Sequence, residues 1–255
     1  MCFGNLSDII HSEPTSIIKS TRILPAVASS LNSVQGRSPV TYATPNLLEL
    51  RHIYQACHSE PMDLTSHSVW WQVIDDFGLS SRFRMELEQL ARRNVSDENG
   101  SKGTLSFLLD DGIAQMAVNL LPFFQNIVIK CGARGLLVVM RISGDQAQDS
   151  QWVHEFTNPH KRCVVAHGKS SKEVVVLQHF VPAQVHEDSI ANVTGAGDSL
   201  VGSILASLLE QPGLFADPSE LSEAMNIAQQ AAVLTLQSQY AVSPELSVKS
   251  RLAIL

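Results

Sequence analysis

Between Asn192 and Gly202 the chain reads Asn-Val-Thr-Gly-Ala-Gly-Asp-Ser-Leu-Val-Gly, a glycine-rich loop that runs into an apolar helix with one carboxylate at the junction. Gly195 and Gly197 permit backbone conformations closed to other residues and let N–H groups approach an anion. The helix behind them adds unpaired first-turn N–H groups and the positive end of its dipole. A phosphate suits such a loop, whereas a carboxylate beside a phosphate is repelled by it. Asp198 is therefore a candidate general base, placed to take a proton from an attacking hydroxyl. The same string also fits a plain helix entry with a glycine turn. Leu200, Val201, Ile204, Leu205, Leu208 and Leu209 form the apolar stripe of that helix, and Gln211-Pro212-Gly213 ends it.

Other elements must position this loop. Val40-Thr41-Tyr42-Ala43-Thr44 is β-branched and aromatic and reads as a strand ended by Pro45. A helix follows from Asn46 to about Cys57, and Asn46 with Glu49 three residues on has the spacing of a capping box. Two oxygen-bearing side chains at that spacing also suit a hard cation. The stretches 58–65 and 95–104 read as loops, and the region between them as helical. Asp75-Asp76 reads as a pair of solvated helix-end charges rather than a metal site, because no His or Glu stands at useful spacing. Asp110-Asp111-Gly112 opens an amphipathic helix closed by Pro122. Asn126 to Lys130 and Leu136 to Met140 are apolar strands joined by the turn Cys131-Gly132-Ala133-Arg134-Gly135, with Arg134 read as surface exposed.

The pattern weakens from Ser143 to Ser171, which is read as a surface insertion. His154, His160, Cys163 and His167 fall there, but their spacing fits no usual zinc pair and Lys161-Arg162 would repel a cation. Glu173 to Phe180 is again a strand, with His179 as a half-buried member. Asp217-Pro218-Ser219-Glu220 starts a helix that runs to about Leu236, with a small face of Ala228, Ala231 and Ala232 and with Gln229 as a solvent-facing polar residue. Strands alternating with helices indicate an α/β fold with a mostly parallel sheet covered on both faces. Ligands of such sheets lie beyond the carboxyl ends of the strands, where the Asn46, Gly132 and Gly195 loops are expected to converge.

Composition narrows the function classes. A chain of 255 residues, 44% hydrophobic, can bury a sizeable core, and one domain is the default expectation. A net charge of -7 with no basic stripe argues against a nucleic-acid or acidic-membrane partner. Four scattered cysteines give neither a disulfide scaffold nor a zinc ribbon, which fits a reduced, cytoplasmic setting. No signal-like start or membrane-length apolar run is present. A small-molecule enzyme is the expectation, and a dinucleotide-binding oxidoreductase is disfavoured by how late the glycine run comes.

Taken together, the Gly195-Ala196-Gly197-Asp198 run, the Pro45-Asn46-x-x-Glu49 string and the Gly132-x-x-Gly135 turn resemble the PfkB-type, ribokinase-like carbohydrate kinases, most nearly the pseudouridine kinases. That resemblance implies a ribokinase-like three-layer α/β/α fold with ATP and Mg2+ as cofactors, a monovalent cation in addition, and a sugar or nucleoside as acceptor. By the same resemblance Asp198 is the catalytic base and Gly195, Ala196 and Gly197 form the anion hole. Lys130, Gly132, Gly135 and Gln229 border the nucleotide, Asn46 and Glu49 organise the metal and its water, and residues 238–244 close the site. The likeness begins near Glu13, at a Glu-Pro-Thr-Ser-x-x-Lys stretch that stands in mid-domain in the family. Residues 1–255 are therefore expected to be the C-terminal portion of a kinase domain, incomplete on its acceptor side. The exposed sheet edge that this leaves would invite a homo-oligomer or a complementing chain. Two outcomes are open: an ATP-dependent sugar or nucleoside kinase, or a non-catalytic remnant that binds nucleotide or a partner chain.

Overall fold

The computed structural model describes residues 26–27, 38–60, 63–79, 81–92, 94–96, 102–147, 150–154, 162–169 and 172–246. The Glu13-Pro14-Thr15-Ser16 stretch, His160 and the tail from 247 to 255 lie outside the described residues. The described residues fall into two compact units, one within Met1–Cys131 and Leu137–His179, the other within Gly132–Leu136 and Phe180–Leu255.

In the first unit, β1 (Val40–Ala43) is followed by helices α1 (Leu47–Cys57), α2 (Ser68–Phe77) and α3 (Ser81–Arg92). A small hairpin of β2 (Asn94–Ser96) and β3 (Lys102–Thr104), then α4 (Phe107–Asp110) and α5 (Ile113–Leu120), lead to β4 (Phe124–Lys130). Strand β5 (Leu136–Ser143), the one-turn helix α6 (Gln151–His154), β6 (Cys163–His167) and β7 (Glu173–Phe180) complete it. The five longer strands form one open sheet in the order β1-β4-β5-β7-β6. It is a mixed sheet. Strands β1 and β4 run parallel with Tyr42 opposite Asn126, the crossover between them carrying α1 to α5. Strands β6 and β7 are antiparallel with Val165 opposite Val176.

The order follows from the residues. Nearly every side chain of β4, β5 and β7 is buried, as expected of strands covered on both faces. Helix α1 turns Leu50, Ile53 and Cys57 inwards and α5 turns Ile113, Ala117 and Leu120 inwards, and the two helices pack on each other. Phe77, Phe123, Phe124, Ile127, Ile129 and Leu137 are completely enclosed in the same core. Among the described residues a buried ion pair crosses from β5 to β7. Arg141 on β5 donates from Nε and Nη2 to the two carboxylate oxygens of Glu173 on β7, both at 2.8 Å, and its guanidinium sits 5.5 Å from the ring centre of Phe77. Nη1 of Arg141 is buried without a partner.

Two expectations change here. The stretch 95–104, read as loop, contains the paired strands β2 and β3, each three residues and too short to show a period of two. Part of the weak region 143–171, read as an insertion, is β6, the edge strand of the main sheet.

The second unit holds α7 (Ala196–Glu210) and α8 (Pro218–Leu236), packed on each other. Leu200, Val201 and Ile204 of α7 and Ala224, Ala228 and Ala231 of α8 are buried, and small residues let two helices approach closely. The stripe predicted for α7 holds over its first two turns and then rotates. Ser207 is buried with its hydroxyl donating to the Ser203 carbonyl, while Leu209 is 84% exposed. Among the described residues no helix is long and apolar enough to cross a membrane.

Candidate active site

The loop before α7 is held from both sides. Ala191 and Asn192 donate their backbone N–H groups to the carbonyl of Leu236, at 2.8 and 3.1 Å, and the Asn192 side chain accepts from the Thr194 N–H. Gly195 then turns the chain at φ 82°, and a Cβ there would collide with the carbonyl oxygen of Ala241. Both conditions demand glycine. Helix α7 begins at Gly195 without a side-chain cap, whereas α1 is capped by Asn46 and α8 by Asp217. An uncapped helix start leaves its leading N–H groups and dipole to an external anion. Asp198 stands in this first turn, exposed to solvent.

Next to Asp198, Ser199 turns inwards. Its hydroxyl lies 2.7 Å from that of Thr235, which is completely buried near the end of α8. Thr235 also accepts the backbone N–H of Ser243 at 3.3 Å, and the Ser243 hydroxyl accepts the N–H of Glu245. The start of α7, the end of α8 and the 238–245 loop are thus tied through one hydroxyl. Sequence reasoning missed Thr235, which only its polarity amid apolar neighbours could have flagged, and placed Ser243 in the closing loop without its bond to Thr235. Tyr240 and Val242, which flank Ala241, and Val193, two residues before Gly195, keep their side chains exposed.

The Gly132–Gly135 turn is a single tight turn in which the Gly135 N–H donates to the Gly132 carbonyl at 3.0 Å. Gly132 has φ 61° with open space where a Cβ would stand. Gly135, at φ 86°, is pressed against the backbone of Phe180, Val181 and Pro182. Arg134 is exposed, as expected. Gln229, expected to face solvent or nucleotide, is 7% exposed. Its Nε2 donates to the Val181 carbonyl at 2.9 Å and its Oε1 accepts the Ala183 N–H at 3.2 Å.

In the first unit, Asn46, Glu49 and Lys130 are neighbours. Asn46 leaves β1 as the N-cap of α1 and forms a parallel bridge with Lys130, whose N–H donates to the Pro45 carbonyl at 2.9 Å. The capping box is complete: Oδ1 of Asn46 accepts the Glu49 N–H at 2.9 Å, and Oε2 of Glu49 accepts the Asn46 N–H at 2.7 Å. Capping accounts for only one carboxylate oxygen. Glu49 is 1% exposed and its Oε1 is buried without a partner. A buried, uncompensated carboxylate oxygen is costly, and a cation or its water is the natural complement. The donor set therefore fits a hard divalent ion such as Mg2+.

The predicted site residues thus stand in two groups, each within its own unit: Asn46, Glu49 and Lys130 in one, and Gly132, Gly135, Gly195, Ala196, Gly197, Asp198 and Gln229 in the other. Lys169 pairs with Asp75 and donates its N–H to the Asp76 carbonyl, His167 is exposed, and among the described residues no three His, Cys, Asp or Glu side chains gather as metal ligands.

Residues 127–247 match the pfkB family carbohydrate kinases. Over 234 residues the chain is 29% identical to a pseudouridine-metabolizing bifunctional protein of Schizosaccharomyces pombe, covering 92% of this chain and 26% of that protein. The chain thus spans about a quarter of the length of that relative. Among solved structures, the fructokinase of Vibrio cholerae in its fructose-, ADP- and calcium-bound form aligns at 16% identity with a TM-score of 0.40, over 98% of this chain and 58% of the enzyme. The ribokinase of Giardia lamblia aligns at 14% identity with a TM-score of 0.37, over 92% of this chain and 65% of the enzyme. The Gly132–Gly135 turn, the Gly195–Asp198 loop and helix α8 all fall within 127–247, the segment that matches the pfkB family carbohydrate kinases.

Proposed function

We propose that this chain is an ATP- and Mg2+-dependent phosphotransferase acting on a sugar or nucleoside hydroxyl in the cytoplasm, with pseudouridine the first acceptor to test. In this reading its residues correspond to the C-terminal portion of such a kinase domain. The observation that carries the proposal is the exposed carboxylate of Asp198 in the first turn of an uncapped helix behind a positive-φ glycine. Asp198 takes the acceptor hydroxyl's proton as its oxygen bonds to the γ-phosphorus, and the bond from that phosphorus to the ADP oxygen breaks. The N–H groups of Ala196 and Gly197 receive the negative oxygens of the transferring group. Lys130, Gly132 and Gly135 border the remaining phosphates, and Gly132 gives the backbone an open approach. Asn46 and Glu49 would hold the magnesium ion or its water, and when bound the ion neutralises phosphate charge. Support for nucleoside over other sugar acceptors comes from the pseudouridine-metabolizing relative.

The test is phosphate transfer from Mg-ATP to pseudouridine, ribose and a panel of nucleosides by the purified 255-residue chain, with Asp198→Asn alongside. Removing a general base is expected to lower the rate by about 100- to 10,000-fold. Transfer that Asp198→Asn leaves intact would remove the base assignment. Binding of Mg-ATP without transfer to any acceptor would select a nucleotide-binding role instead.

A further inference from the structure

Gln229 lies on α8, forty-eight residues from Val181, yet both ends of its carboxamide are engaged by one short backbone segment: Nε2 by the Val181 carbonyl and Oε1 by the Ala183 N–H. A donor and an acceptor on one planar group, answered by an acceptor and a donor two residues apart, fix the segment in both position and orientation. Near-complete burial of Gln229 makes the arrangement costly to leave half satisfied. The same segment, from the Phe180 carbonyl to Pro182, fills the space where a Cβ of Gly135 would stand. Gly135 in turn closes the turn through its N–H bond to the Gly132 carbonyl. The chain of contacts runs from Gln229 to residues 181–183, to Gly135, to the exposed backbone of Gly132.

We propose that Gln229 is a positioning residue that sets the Gly132–Gly135 turn through the backbone of residues 181–183. It is not a ligand to the nucleotide, because its carboxamide already serves the chain itself. Its chemistry is restrictive: glutamate keeps the length and the acceptor but loses the donor to Val181 and brings a charge against that carbonyl. Methionine keeps the length and loses both. The nucleotide consequence rests on the phosphotransferase reading above; the turn geometry does not.

Two measurements on the full chain separate these. Amide hydrogen exchange is followed at Ala183, whose acceptor is Gln229 itself, and at Gly135, which makes no bond to Gln229. In Gln229→Met, Gly135 exchange is expected to quicken about five- to tenfold along with Ala183, the scale of one lost hydrogen bond. In Gln229→Glu, Ala183 keeps its acceptor while Gly135 still quickens, and this variant decides the matter if the methionine variant fails to fold. Gly135 exchange unchanged in both variants, with Ala183 quickened in Gln229→Met, overturns the proposal. Mg-ATP titration is the second arm. A folded Gln229→Met chain that binds several-fold more weakly than the native chain, with Gly135 loosened, supports the catalytic meaning of the clamp. A native chain that does not bind Mg-ATP overturns the phosphotransferase reading, and the Gly135 exchange still decides the clamp.

Discussion

The hydroxyls of Ser199 and Thr235 lie 2.7 Å apart, joining the residue beside Asp198 to the penultimate residue of α8. Thr235 is completely buried and also accepts the Ser243 N–H, so replacing it strands two groups at once. Thr235→Val, equal in shape, is expected to destabilise the chain by about 1–3 kcal/mol, and Thr235→Ser by clearly less. Urea unfolding of the two variants side by side measures this. A larger loss in Thr235→Ser than in Thr235→Val would mean that the methyl group, not the hydroxyl, matters.

Gly195 and Gly132 both have positive φ, but only Gly195 is crowded, by the Ala241 carbonyl. Gly132→Ala is expected to cost about 1–2 kcal/mol, the left-handed penalty alone. Gly195→Ala adds a backbone collision and should exceed that by at least about 1 kcal/mol. If the turn approaches phosphate, Gly132→Ala should weaken Mg-ATP binding out of proportion to its small loss of stability. Thermal denaturation and nucleotide titration on the same samples give both quantities.

Glu49→Gln separates capping from metal binding. The amide oxygen can still accept the Asn46 N–H, so α1 keeps its cap and stability should stay within about 1 kcal/mol of the native value. Loss of the buried negative oxygen should weaken Mn2+ or Mg2+ binding in the presence of ATP by about tenfold or more. Calorimetric titration of the metal reads this directly. An unchanged affinity would leave Glu49 a helix cap and nothing else.

Burial pushes the Cys57 thiol up to about 12 and raises the Tyr42 phenol. A cysteine in the unfolded chain titrates near ~8.5. Between those values the native state holds a proton that the unfolded state has lost. The associated stability is therefore complete below about pH 8.5 and declines as pH rises towards 12, with a slope of at most about 1.4 kcal/mol per pH unit from this group. Urea midpoints from pH 8 to 11 should fall accordingly, and Cys57→Val should flatten the decline. Cys163, half-buried, should react with iodoacetamide well before Cys57 does.

Local signals and distant ones were not equally legible in the sequence. Helices α1 and α8 and strand β7 lie where the capping box, the Asp217-Pro218 start and the apolar run put them, because each signal acts within a few residues. The hairpin β2–β3 and the edge strand β6 escaped, since three-residue strands show no period and an edge strand depends on its neighbour more than on its own composition. The types of the candidate site residues were legible from the resemblance, but not how each is held. Nothing near Gln229 announces Val181 forty-eight residues away, and nothing near Glu49 announces that one of its oxygens is sealed from water. Sequence spacing records capping, whereas burial is set by the packing of the whole unit.

The Arg141–Glu173 pair carries an evolutionary consequence. Its two partners are enclosed and held by two parallel bonds, so changing either residue alone leaves the other's charge stranded, at a cost of about 3–5 kcal/mol. A loss of that size approaches the entire stability of many domains. Positions 141 and 173 are therefore expected to drift as one unit, exchanged together for an apolar pair or kept together, and a relative with only one of them charged should carry a compensating residue near Phe77.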